Sequence, residues 1–253
     1  MDLCVISSYP TSLRKVAKGV YEYARTSGRQ ASLYSVGELA PLVCRKVVIE
    51  YAEESQLAYD APYFLYGRCV AYLTAEGVPQ LSPQVRELVQ RCYVAAPHSY
   101  VKSLLEEVGL RVDAVVPHHV EWRDLRAARP TYDYGFTGIN LWRKGVDLAV
   151  KMAELYGGRW LINTTNGEVK LDRVPPNVHI TFGWPDVYQL YSQVGVLVLP
   201  SRAEGFSLAP REFAASRCIK PVVTDLPVYH EPWYIKCPVK RVLRVPYRGQ
   251  LTP

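Results

Sequence analysis

The chain has 253 residues, enough for one large domain or two small ones, each with its own core. Hydrophobic residues are 49% and charged residues 21%, which is globular composition and excludes a disordered or low-complexity protein. Formal net charge is +6, with +1 on residues 1–130 and +5 on residues 131–253, so a basic excess suited to nucleotide phosphates belongs to the second half, without the dense clusters of a typical nucleic-acid binder.

Met1-Asp2-Leu3-Cys4-Val5-Ile6 lacks the basic start of a signal peptide and reads as a first strand. No apolar stretch reaches the roughly 18 residues of a membrane span. A soluble intracellular protein is expected. Cysteines at 4, 44, 69, 92, 218 and 237 show no C-x-x-C spacing, and most sit in apolar runs, so buried thiols are expected. Tyrosine is abundant (19) and methionine scarce (2), a faint thermophile signature.

In chain order, Leu3–Ser7 is predicted as a strand and Ser12–Arg25 as a helix, with Leu13, Val16, Ala17, Val20, Tyr21 and Ala24 at helical spacing. Strands are expected at Ala31–Val36, Lys46–Glu50 and Cys69–Thr74. Ser82 caps a helix over Pro83–Gln90, and strand Cys92–Ala95 follows. Helix His98–Val108 stops before Gly109, and Asp113–Val116 is extended. The polar, basic stretch Trp122–Pro130 reads as a linker, which puts the domain boundary at 128/129.

A second alternating series begins at strand Tyr132–Phe136. Helix Val146–Tyr156, strands Trp160–Asn163 and Val178–Phe182, helix Pro185–Ser192 and the strand at Val196 complete most of it. Alternation in both halves predicts an α/β protein with two doubly wound, Rossmann-like domains, 1–128 and 129–253, facing a cleft. Ligands of such sheets bind beyond the strand C-termini.

The most informative segment is Ser201-Arg202-Ala203-Glu204-Gly205-Phe206-Ser207-Leu208-Ala209-Pro210-Arg211-Glu212, between the run Val196–Pro200 and the strand Lys220–Thr224. Strand, loop, helix, strand is the order. Ser207 is the expected N-cap, and Pro210 falls in the first turn, where its missing N–H costs nothing. Free amides at a helix start suit a diphosphate resting against Gly205, Phe206, Ser207 and Leu208. Glu212 is placed for a ribose diol and Glu204 for sugar hydroxyls; alone, the pair also reads as two solvated acids on an amphipathic helix. A second βα loop, Gly138-Ile139-Asn140-Leu141-Trp142-Arg143-Lys144-Gly145-Val146-Asp147, offers Arg143 and Lys144 to phosphate, or is an ordinary basic loop.

Together these segments resemble the GT-B fold glycosyltransferases of glycosyltransferase family 4, through Glu204-x7-Glu212 and Lys144-Gly145-Val146-Asp147 after a strand ending in glycine. Weaker echoes are Ala95-Ala96-Pro97-His98-Ser99, Val116–Glu121 and Leu226-Pro227-Val228-Tyr229-His230-Glu231. The resemblance implies retaining sugar transfer from a nucleotide-diphosphate sugar, with neither metal nor further cofactor, to a sugar, lipid or protein acceptor, by a cytoplasmic protein able to touch a membrane peripherally. It implies that Glu204 touches the donor sugar, Gly205–Leu208 hold sugar and diphosphate, Glu212 holds the ribose, and Lys144 neutralises the leaving diphosphate, with Arg143 beside it. The chain departs from the pattern at Ile139, where relatives carry arginine, and at Ser8–Ser12, where they carry a glycine pair. No histidine stands in Val70–Gly77, and the chain ends at Pro253, where relatives continue, so a compact or shortened version is expected.

The competing readings are a non-catalytic nucleotide-sugar or glycan binder on the same scaffold, a sugar-nucleotide epimerase, a DNA-modifying glucosyltransferase, and a glycoside hydrolase using Glu204 and Glu212. Elsewhere, His118-His119 reads equally as part of a ligand-facing segment or as a structural turn. His179 reads as a satisfied structural histidine, His98 as a helix start and Glu231 as a solvated acid.

Overall fold

The computed structural model describes residues 3–7, 11–35, 46–51, 69–76, 78–79, 81–167, 170–171, 173–183, 186–238 and 246–247. Two compact units emerge, residues 1–119 with 244–253 and residues 120–243. The division falls at His119/Val120, ahead of the expected 128/129, because the stretch read as a linker is bonded to the second unit. Arg123 N–H donates to Ser216 Oγ (3.1 Å). The Arg217 guanidinium donates to the Leu125 and Ala128 carbonyls at 2.6 and 2.9 Å.

The first unit runs β1 (Leu3–Ser7), α1 (Thr11–Thr26), β2 (Ala31–Ser35), β3 (Lys46–Tyr51), β4 (Cys69–Leu73), β5 (Val78–Pro79), α2 (Pro83–Val89), β6 (Tyr93–Ala96), α3 (Ser99–Glu107) and β7 (Ala114–Val115). Its sheet order is β2-β1-β3-β4-β6-β7, parallel throughout. Cys4 and Ile6, Ala71 and Leu73, and Val94 and Ala96 share one face by strand alternation and pack in one cluster with Val101 and Leu105 of α3. Val5 is buried too, as a parallel sheet covered on both faces requires. Ser82 and His98 cap α2 and α3 by accepting from Val85 and Tyr100 N–H. Near the C-terminus β14 (Pro246–Tyr247) pairs with β5. Of the expected first βα loop, residues 8–10 lie outside the described residues, as does Val36.

The second unit runs β8 (Tyr132–Thr137), a 3-10 turn (Trp142–Lys144), α4 (Val146–Tyr156), β9 (Trp160–Thr164), β10 (Val178–Phe182), α5 (Val187–Gln193), β11 (Val194–Leu199), α6 (Leu208–Arg217), β12 (Val222–Thr224) and β13 (Ile235–Cys237). The helix expected from Pro185 starts instead after the cap Asp186, which accepts from Tyr188 N–H, and Pro185 lies outside the described residues. The parallel sheet has order β10-β9-β8-β11-β12-β13. Counted within the unit this is 3-2-1-4-5-6, the Rossmann order, which reverses between β8 and β11. There the loops leaving β8 and β11 start from neighbouring strand ends. Buried Phe136, Trp160, Ile162 and Leu197 of the sheet, with Ala149 and Ala153 of α4 and Phe213 of α6, form the core of the unit.

The expectation of buried thiols fails in the first unit, where Cys69 and Cys92 form a disulfide with Cα atoms 4.8 Å apart; Cys4 is also disulfide-bonded, and Cys218 is an exposed thiol. A separation of 23 residues hides the neighbourhood of Cys69 and Cys92, which parallel pairing creates: Val70 faces Tyr93, so the residues before them also meet.

Replacing Cys69 and Cys92 by serine is expected to lower stability by about 3 kcal/mol, from the lost cross-link on a loop of this length; urea melts of wild type and the double variant without reductant, which would also open the Cys4 bond, check it, and equal midpoints would refute it. At the reversal, Gly145 has φ 74°, and a Cβ there would sit 2.2 Å from the Pro200 carbonyl oxygen. Gly145→Ala is therefore expected to cost more than about 2 kcal/mol, from left-handed backbone and overpacking together, read as a fall in the urea midpoint.

Candidate functional site

Lys144 ends the 3-10 turn after β8, and Glu204 lies in the loop after β11. The reversal brings them into direct contact. Lys144 Nζ donates to Glu204 Oε1 and Oε2 at 2.8 and 2.7 Å. The Glu204 side chain is 3% exposed and that of Lys144 19%. Ser201 Oγ donates to Glu204 Oε1 at 2.8 Å. Burial opposes ionisation of Glu204, but the charges of Lys144 and Arg143 and the bonds from Lys144 and Ser201 outweigh it and hold the carboxyl below the usual range.

Arg202, unmarked in the sequence reading, fastens the two loops together. Its N–H donates to the Arg143 carbonyl (2.7 Å), and its guanidinium donates to the Trp142 carbonyl (2.6 Å). It also grips Asp147 bidentately at 2.9 and 2.7 Å, and that hydrogen bonding holds the Asp147 carboxyl below its ordinary value. The same guanidinium lies 4.5 Å from the centre of the Trp142 ring. Four contacts from one side chain thus define where the 142–147 turn presents Lys144.

The start of α6 is shaped as the sequence suggests in position but not in capping. Ser207 is the N-cap residue, yet its side chain makes no cap hydrogen bond and its φ is 60°. Pro210 is in the first turn. Gly205 and Phe206 are buried, while Ser207 and Leu208 are half-buried.

The buried Arg211 engages the carbonyls at this helix start and not its N–H groups. It donates from Nη1 to the Phe206 carbonyl and, at 3.1 Å, to the Ser207 carbonyl. Nη2 reaches the Val228 carbonyl (3.0 Å) and Glu231 Oε1 (2.6 Å), and its guanidinium covers the Phe206 ring at 4.1 Å. Glu231 is therefore no solvated acid: its side chain is 14% exposed and ion-paired. The expectation failed because the partner lies 20 residues upstream on another element.

Glu212 is buried, and Tyr191 Oη donates to its Oε2 at 3.0 Å. Burial, and then the Glu212 charge, push the Tyr191 phenol well above its ordinary value, so it stays a donor. Of the expected site residues, the structure places Lys144, Arg143 and Glu204 in one electrostatic cluster and Gly205, Phe206, Ser207, Leu208 and Glu212 on the adjoining loop and helix. Two histidines are paired with tyrosines: His118 Nδ1 is 2.7 Å from Tyr72 Oη in the first unit, and His179 Nδ1 is 2.6 Å from Tyr132 Oη in the second. Among the described residues no group of three or more His, Cys, Asp or Glu is placed to hold a metal ion, and no helix is long and apolar enough to cross a membrane.

The depressed pKa of Glu204 fixes a sign for acid sensitivity. The unfolded chain takes up this proton first as pH falls, so the stabilisation is complete above the unfolded value and vanishes below the folded one. Glu204→Gln is expected to lose about 3 kcal/mol at pH 7 by removing the buried carboxylate charge that pairs with the Lys144 ammonium. The gap from wild type should narrow as pH falls below about 4. Urea midpoints across pH 2–7 check this, and a gap independent of pH would refute the pairing.

No protein-family profile matches the chain, and no curated protein sequence does. Solved structures match. Anabaena HepE in complex with UDP and glucose is similar at TM-score 0.65 and 12% identity, over 90% of this chain and 82% of that one. WaaG, a glycosyltransferase involved in lipopolysaccharide biosynthesis, is similar at TM-score 0.58 and 12% identity, over 90% and 82%. An alpha-glucosyltransferase in complex with UDP-glucose and DNA containing an abasic site is similar at TM-score 0.55 and 12% identity, over 88% and 79%. What this chain shares with them is the fold, and that fold is the GT-B glycosyltransferase fold.

Proposed function

We propose that the chain is a retaining glycosyltransferase that takes a sugar from a nucleotide-diphosphate donor held by the second unit. The observation that carries this reading is the Lys144–Glu204 pair, set at the sheet reversal beside the start of α6. In the proposed reaction the bond from the anomeric carbon to the diphosphate breaks and a bond from that carbon to an acceptor hydroxyl oxygen forms. The acceptor's proton leaves with the nucleoside diphosphate. Amides at the α6 start and the Lys144 ammonium stabilise the charge growing on the diphosphate, in place of a metal. Glu212, aligned by Tyr191, accepts from the ribose hydroxyls, and Glu204 faces the donor sugar while holding Lys144.

The depressed carboxyl of Glu204 disfavours a hydrolase, since an acid that gives up its proton so readily is a poor general acid. A non-catalytic nucleotide-sugar binder is the alternative, and the same ion pair is its support: an ammonium already neutralised by Glu204 has less to offer a leaving diphosphate. Donor consumption separates the two. Acceptors to be tried are sugars, lipids, proteins and duplex DNA, the last recognisable by steep salt dependence. A cytoplasmic location with peripheral membrane contact is part of the proposal. A persistent Cys69–Cys92 disulfide there matches the disulfide-rich interiors of hyperthermophile cells.

The expected outcome is stabilisation of wild type by at least one of the uridine, guanosine and adenosine diphosphates in a thermal-shift assay, with the effect lost in Glu212→Ala and weakened about tenfold or more in affinity in Lys144→Ala. Absence of any shift in wild type, or an undiminished shift in Glu212→Ala, would overturn the assignment.

A further inference from the structure

We infer that Arg211, steadied by Glu231, is a positioning residue that aims two backbone donors at the donor's diphosphate; this deepens the proposed function and rests on it. In a trans peptide the C=O and N–H of one unit point in opposite directions. The Phe206 carbonyl shares its peptide with the Ser207 N–H, and the Ser207 carbonyl shares its peptide with the Leu208 N–H. Arg211 draws both carbonyls to one guanidinium nitrogen. The Ser207 and Leu208 N–H groups are thereby turned away from Arg211, side by side, at the positive end of α6. Neither has an acceptor among the described residues.

Ser207 shows what this arrangement costs. Its φ of 60° is disfavoured for a side chain other than glycine, asparagine or aspartate, and its hydroxyl makes no cap bond in compensation. Arg211 bonds to both peptide groups that flank the Ser207 Cα, adding to the hold that the helix already has on the Ser207 carbonyl, so one side chain bears on both φ and ψ there. Such strain persists where surrounding contacts over-determine it. Arg211 is itself immobilised, with the Val228 carbonyl, Glu231 and the Phe206 ring around it and 7% exposure. Glu231 approaches both Nε and Nη2 through Oε1, at 3.1 and 2.6 Å, and leaves Nη1 to the carbonyls. Lysine has no fork with which to serve these partners together.

The test measures the affinities of the nucleoside, monophosphate and diphosphate of the preferred base for wild type, Arg211→Lys and Glu231→Gln, each checked by its melting temperature. Wild type is expected to favour diphosphate over monophosphate by about tenfold or more, the worth of charge-assisted bonds to the second phosphate. In Arg211→Lys that preference should collapse towards unity with monophosphate affinity unchanged, and in Glu231→Gln it should fall partway. A general loss of fold would weaken all three ligands equally, so that pattern overturns the inference. An undiminished diphosphate preference in Arg211→Lys overturns it while leaving the proposed function intact. Wild type that binds none of the ligands overturns both.

Discussion

A carboxylate buried to 3% exposure is costly to desolvate, and its presence demands an explanation in local terms. Glu204 is kept ionised by the Lys144 ammonium, the Ser201 hydroxyl and the nearby Arg143 charge. The Ser201 contact is local to the loop after β11, but those of Lys144 and Arg143 cross between elements. They exist because strand order reverses between β8 and β11, so that the turn leaving one strand meets the loop leaving the other. Without the reversal, Lys144 and Glu204 would be 60 residues apart with no reason to meet.

Close approach then has to be made rigid. Gly145 removes the side-chain bulk that would strike Pro200, and Arg202 spans the remaining gap with backbone and side-chain donors. Arg211 does the corresponding work on the far side of the loop, from inside α6. The segment between Pro200 and Leu208 is thus held by one arginine towards the 142–147 turn and by another towards Val228 and Glu231. A loop gripped at both ends presents its amides with little reorganisation, which is the condition under which fixed dipoles are most effective.

Much of this was legible in the chain because it is periodic or local. Strand–helix alternation, the 3.6-residue spacing of Val146, Ala149, Val150 and Ala153, and the Glu204-x7-Glu212 spacing all follow from local geometry. The parts that escaped are long-range pairings of common residues. Cys69 meets Cys92 through strand register, and Arg202 meets Asp147 across two loops. Glu231 reads as a solvent-facing acid until Arg211 is placed against it. The polar composition of 122–130 suggested a tether, but its backbone is spent on Ser216 and Arg217, a use that composition does not encode. Ser207 was legible as the capping position and not as a strained residue, since strain depends on what Arg211 does to its neighbours.

On the proposed reading, the ion pair within the site is compatible with catalysis rather than opposed to it. A lone ammonium would attract the donor's diphosphate strongly before reaction, and tight ground-state binding lowers KM without accelerating the chemical step. Glu204 moderates that attraction. As the anomeric bond breaks, negative charge accumulates on the departing diphosphate, and the pull on Lys144 grows during the step itself. An ammonium shared between a fixed carboxylate and a substrate of rising charge therefore discriminates the transition state from the bound donor. The same pair limits the desolvation cost of Lys144, which stays 19% exposed and is ready-placed by the 142–147 turn rather than recruited from solvent.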